Sequence, residues 1–313
     1  MNHRGTRYEV RGTRIDWRLM VFFFFLFPFT AVAQEFGMHW YYSAQTEPTQ
    51  QVWFKRSFHM NEPATKAVLS VASEGRCIVY VNGYNVSHDL FSDNPSGAIA
   101  VHDYQIENLL NVGTNTIAIW YSPVHYTHRQ LYSTLSGQWE SGGMFYQGCD
   151  EEWRCRGANA HTLPDGNEEI DGSRYVSSWK NYDWQEDMFL FSDWQPAALA
   201  TGEQPVVVTF SRHAATGQRM QRILKRAKVS QSGRTLVYDF GQPVNGWVRV
   251  TMRGMKKGEV VEVNGLRYIC KGGSDDQACR RFTTNVSGIA RITLPAGRSR
   301  SNITRVEAIS VGW

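Results

Sequence analysis

The feature that most constrains this chain is a period of two. Short alternations of apolar and polar residues recur along it, each closed by turn residues, and helical spacing is nearly absent. Residues 67–72 put Leu69 and Val71 on one face. Residues 77–81 put Cys77, Val79 and Val81 on one face, and Asn82-Gly83 then makes a tight hairpin turn. Residues 116–121 set Ile117, Ile119 and Tyr121 against Ala118 and Trp120. Similar runs follow at 206–210, 236–240, 247–252, 260–263, 290–294 and 306–311. Helical pieces are expected only at 106–110 and 217–227. The pattern predicts an all-β chain of two β-sandwich, jelly-roll-like domains in tandem, at 34–200 and 206–313. Thr201-Gly202-Glu203-Gln204-Pro205 reads as their linker. Within the first domain, residues 140–190 read as a long, strand-poor excursion rich in Gly, Asp, Glu and Trp, a place where function often resides.

Residues 1–33 stand apart from this pattern. Arg4, Arg7, Arg11, Arg14 and Arg18 precede an apolar run from 19 to 30, and Ala31-Val32-Ala33 supplies a small-residue cleavage site. This reads as a secretory signal cut near Ala33, with Met1 and Met20 both open as starts. A periplasmic or secreted location is expected, and no membrane anchor. The leader also explains the charge. The whole chain carries 33 basic and 29 acidic side chains, or +4. The leader holds five Arg against Glu9 and Asp16, or +3, which leaves about +1 for the remainder. Nothing in that balance calls for nucleic acid as a partner.

In an oxidising compartment Cys149 with Cys155, and Cys270 with Cys279, are expected to close short disulfide loops. Cys77 reads as a buried thiol. Zinc competes for the same residues, but no Cys-x-x-Cys and no His at ligand spacing accompany them.

Two stretches carry a family resemblance. Val52-Trp53-Phe54-Lys55-Arg56-Ser57-Phe58, then Ile78-Val79-Tyr80-Val81-Asn82-Gly83, resembles the N-terminal jelly-roll module of bacterial α-L-rhamnosidases. Gly113-Thr114-Asn115-Thr116-Ile117 and Asp193-Trp194-Gln195-Pro196-Ala197 are similar to the continuation and end of that module. Asp239-Phe240-Gly241-Gln242-Pro243-Val244-Asn245-Gly246-Trp247 resembles the strand pair that opens the family's next β-domain. In that family a large (α/α)₆ barrel follows and supplies the catalytic carboxylates, and this sequence stops at Trp313. The resemblance therefore implies a non-catalytic binding scaffold for oligo- or polysaccharide, rhamnose-containing or related, acting in polysaccharide use and served by a separate hydrolase chain. A truncated or split front half of a rhamnosidase is the competing implication.

Some modules of that family bind rhamnose with calcium on a loop after the Asn-Gly hairpin. The corresponding positions are Asp93 and Asn94, one carboxylate and one amide with the oxygen ligands calcium takes; an Asx turn before Pro95 is the plain alternative. Trp120 or Tyr121 would be the stacking ring if one faces outward, and Asp171 in Asp171-Gly172 is expected at the same rim. Calcium is thus the one cofactor under consideration. An enzyme reading survives beside this one. Asp150, Glu151, Glu152, Asp165, Glu168, Glu169, Asp171, Asp183, Glu186 and Asp187 crowd the excursion, and a glycosidase needs two carboxylates at a set spacing. His161 and Tyr175 could serve as acid and base in a lyase.

Overall fold

The computed structural model describes residues 40–87, 99–123, 129–148, 152–182, 193–201, 207–211, 219–225, 227–273 and 275–312. These residues are all-β, with short 3₁₀ turns and no α-helix. The strands of the first half are β1 (Tyr41–Tyr42), β2 (Gln50–Met60), β3 (Ala64–Ser73), β4 (Arg76–Val81), β5 (Tyr84–Asn85), β6 (Ile99–Gln105), β7 (Gly113–Ser122), β8 (Leu131–Trp139), β9 (Met144–Gln147), β10 (Arg154–Thr162), β11 (Glu168–Asp171), β12 (Gln195–Pro196) and β13 (Ala198–Leu199). Those of the second are β14 (Val207–Ser211), β15 (Arg219–Leu224), β16 (Lys228–Ser232), β17 (Thr235–Arg253), β18 (Val260–Val263), β19 (Leu266–Ile269), β20 (Asp275–Ala278), β21 (Asn285–Thr293) and β22 (Ile303–Gly312).

A seven-stranded sheet runs β13-β1-β8-β3-β6-β14, with β9 on β8. A fifteen-stranded sheet runs β15-β22-β17-β21-β18-β19-β11-β10-β2-β7-β4-β5, with β12, β16 and β20 attached. Within the large sheet the halves meet at a parallel pair, β11 beside β19, with Ile170 opposite Tyr268, and in the smaller sheet β14 runs parallel to β6.

Strands β2 and β7 explain the architecture, because both of their faces are covered. Val52, Phe54, Ile117, Ile119 and Tyr121 pack with Leu69, Val71, Leu131 and Leu135 of the smaller sheet. The alternate residues Trp53, Ala118 and Trp120 point the other way, into a second core with Leu236, Val250, Phe282, Ile292 and Ile309. A strand buried on both sides reads as a continuous apolar run, as residues 117–121 do.

The hairpin at Asn82-Gly83 forms as its sequence predicts. Asn82 sits at φ +48° and Gly83 at φ +82°. The Asn82 side chain then spans three elements: its amide donates to Leu109 O (2.7 Å) and Asn115 Oδ1 (2.8 Å), and its oxygen accepts from Thr116 N (2.8 Å). In β17, Gly246 lies so close to Ile309 O that any Cβ there would overlap it, so the Gly-Trp step is set by strand contact.

Three expectations need correction. The 140–190 segment is not strand-poor: it contributes β9, β10 and β11, and β10 pairs along β2 inside the large sheet. The piece expected to be helical at 217–227 is strand over Arg219–Leu224, because it pairs antiparallel with β22, and tertiary pairing overrides weak helical preference. Cys270 and Cys279 are free, buried thiols rather than a disulfide, and Cys155 is free as well, while Cys149 lies outside the described residues. The loop between Cys270 and Cys279 is instead closed by buried Asp276, which accepts from Lys271 N (2.7 Å), Gly272 N (3.2 Å) and Tyr268 Oη (3.1 Å). Burial pushes the Cys270 thiol up to about 12 and Cys279 to about 11. The 3₁₀ turn at Glu107–Leu109 falls within the helical piece expected at 106–110.

Candidate functional site

A polar cleft of about 310 Å³ opens where the start of the first half meets β10 and the turn after β11. Its wall comes from Ser43, Gln45 and Thr46 before β2, Gln50 at its start, Arg156 on β10, and Arg174, Asp193 and Gln195. Arg129 holds the first of these segments by donating to Thr46 O (3.1 Å) and Glu47 O (2.8 Å). Gln50 reaches across β10 to Ala158 O (3.3 Å), and Gly157 leaves room for it, since a Cβ there would overlap the Gln50 amide. Arg156 Nη2 lies 2.9 Å from Asp193 Oδ2, with the carboxylate side largely in solvent.

The turn after β11 sets the cleft's rim. Asp171 Oδ1 accepts from Ser173 N (2.9 Å) and Ser173 Oγ (2.7 Å), which caps the 3₁₀ turn Gly172–Arg174 and delivers Arg174 to the cleft. Gly172 lets that turn lie against β19, because a Cβ would overlap the Tyr268 hydroxyl. Asn159 Nδ2 donates to Asp171 O (2.8 Å) and ties the turn back to β10.

Beyond the turn lies a cluster of rings. Trp179 stacks on Trp53 with centroids 5.4 Å apart and planes 7° apart. Trp120 meets both edge-on, at 6.0 Å from Trp53 and 5.7 Å from Trp179. The indole N–H groups of these three have no hydrogen-bond partner among the described residues, so packing rather than hydrogen bonding holds the rings. Tyr175 rests edge-on against Trp53 at 6.0 Å and Tyr80 against Trp179 at 5.2 Å. Burial raises the Tyr80 hydroxyl above its ordinary value, which Arg281 opposes and Tyr175 reinforces.

The residues singled out in the sequence scatter. Asp93 and Asn94 lie outside the described residues. Trp120 and Tyr121 are 4% and 1% exposed, which corrects the expectation of an outward stacking ring: both belong to cores, on opposite faces of the doubly covered β7. Burial holds the Tyr121 hydroxyl well above its usual range. Asp171 does not line the cleft; it caps the turn that brings Arg174 there and is engaged by Ser173. Glu168, one of the candidate catalytic acids, is fully buried. Its carboxylate accepts from Arg281 N (3.0 Å), Phe282 N (2.9 Å), Thr283 N (2.7 Å) and Thr283 Oγ1 (2.8 Å). That nest ties β11 to the loop after β20. His161 Nδ1 is engaged by Thr49 Oγ1 at 3.2 Å. Among the described residues no group of three or more His, Cys, Asp or Glu comes together to hold a metal, and no helix is long and apolar enough to cross a membrane. Gln50, Arg156 and Arg174 were not legible as site residues, because three separate segments bring them together.

No family model and no curated protein matches the chain. Solved structures do. An α-L-rhamnosidase from Dictyoglumus thermophilum superposes with TM-score 0.76 at 18% identity, over 89% of this chain and 36% of that one. One from Aspergillus terreus gives 0.71 at 18% identity, over 88% and 36%. One from Streptomyces avermitilis, complexed with L-rhamnose, gives 0.70 at 17% identity, over 84% and 28%. The chain thus has, over most of its length, the fold of about a third of an α-L-rhamnosidase.

Proposed function

We propose that this chain is an exported, non-catalytic carbohydrate-binding protein that takes rhamnose-containing or related glycans in the cleft between Gln50, Arg156, Arg174 and Asp193. The composition of that cleft carries the reading. Sugar hydroxyls both donate and accept, and the cleft offers donor-only Arg, acceptor-only Asp, and Gln, Ser and Thr that do both. Its volume of about 310 Å³ falls at the lower end of the range for small-ligand sites. The rhamnosidase-like fold supports the choice of glycan. The complete burial of Glu168 and the donors it accepts from weigh against a catalytic pair that includes it, since its carboxylate does not face solvent.

Calorimetric titration with L-rhamnose and rhamnosyl oligosaccharides tests the reading. Asp193→Ala is expected to weaken binding by about tenfold, as loss of one charged acceptor should. Absence of binding to every rhamnose-containing glycan would sink it. The same titration with a chelator tests whether calcium at Asp93 and Asn94 takes part. We also propose that a separate hydrolase chain docks beside this one. Stable co-elution with such a chain is its test.

A further inference from the structure

Arg174 lines the wall of the cleft. The next residue, Tyr175, is 45% exposed and rests on Trp53, and the 3₁₀ turn Ser177–Lys180 continues the surface. Trp179 anchors that turn in the core, so the residues beside it have little freedom. Lys180 Nζ lies 5.0 Å from the centre of the Tyr80 ring, and Arg281 lies 5.7 Å from that of Trp120. Arg281 and Tyr175 are both close enough to Tyr80 to bear on the charge of its hydroxyl. Arg174, Tyr175 and Arg281 are exposed, and Tyr80 and Lys180 are half-buried. Among the described residues the charge here leans positive. The neighbouring Glu168 is buried, turned inward and accompanied by the buried Arg280, while Asp171 accepts from Ser173 through Oδ1 and keeps its charge. Among the described residues, these three cations stand among rings and no carboxylate forms an ion pair with Arg174, Lys180 or Arg281.

Rings take the C–H face of a sugar, and a cation at the ring's edge takes an anionic substituent. Resting on the carbohydrate-binding reading above, we infer that the ligand is an acidic oligosaccharide: one sugar sits in the cleft, and a carboxylate-bearing sugar next to it stacks on Tyr175 with its carboxylate toward Arg174, Lys180 or Arg281.

The test titrates the full chain with an oligogalacturonide, with the same oligosaccharide after carboxyl reduction, and with polyglutamate of similar charge. The acidic sugar is expected to bind at least about tenfold more tightly than its reduced form, and to lose most of that advantage as salt rises. Tyr175→Ala and Lys180→Gln should each weaken acidic-sugar binding by about fivefold, with melting temperatures unchanged. Equal binding of acidic and reduced sugars overturns this inference and leaves the carbohydrate-binding reading standing. Polyglutamate binding as tightly as the sugar overturns it too, since charge alone would then suffice. Failure of every sugar to bind, L-rhamnose and rhamnosyl oligosaccharides included, overturns both.

Discussion

Glu168 shows how much one side chain can do outside catalysis. A fully buried carboxylate is costly unless hydrogen-bonded, and this one receives three backbone N–H groups and a hydroxyl from Arg281 to Thr283. Glu168→Gln would set an amide N–H₂ against backbone donors. A loss of about 3 kcal/mol in unfolding free energy is expected, read by urea denaturation. A loss below about 1 kcal/mol would mean that the nest contributes little. In the sequence Glu168 is one acid among many in a polar stretch. Nothing local marks it, because its partners lie more than a hundred residues away. The cysteines make the same point from the other side: spacing suggested a bridge, and Asp276 closes that loop instead.

At the scale of elements, the hairpin was the most legible feature. Asn-Gly after an alternating run selects a tight turn because both residues tolerate positive φ, and the turn appears at Asn82 and Gly83. What the dipeptide did not disclose is that Asn82 also ties the turn to Leu109, Asn115 and Thr116. Asn82→Ala removes those bonds and puts a Cβ residue with no local hydrogen bond at positive φ. We expect it to lower stability by about 2–4 kcal/mol, seen as a fall in melting temperature, with Asn82→Gly costing less. The 140–190 segment was misread for a related reason. Strand β10 is interrupted by a register shift between Gly157 and His161, which breaks the alternation that would have marked it.

At the scale of the whole molecule, both halves contribute to one large sheet and to the core around Trp53, Trp120 and Trp179. Residues 34–200 expressed alone would leave the face of β2 and β7 that carries Trp120 without Phe282, and β11 without its partner β19. Such a fragment is expected to aggregate or to bind a hydrophobic dye strongly, whereas the full chain should not. A soluble, cooperatively melting fragment would show that the first half covers that face itself. The period of two and the turn residues determined, from the sequence alone, that the chain is all-β and where its clearest hairpin lies, because alternation and turn geometry are local. Alternation also says that Trp120 and Tyr121 point to opposite faces. Only the tertiary structure decided that both faces are covered, and that Gln50, Arg156, Arg174 and Asp193 share a cleft instead, because burial and convergence depend on strands distant in sequence.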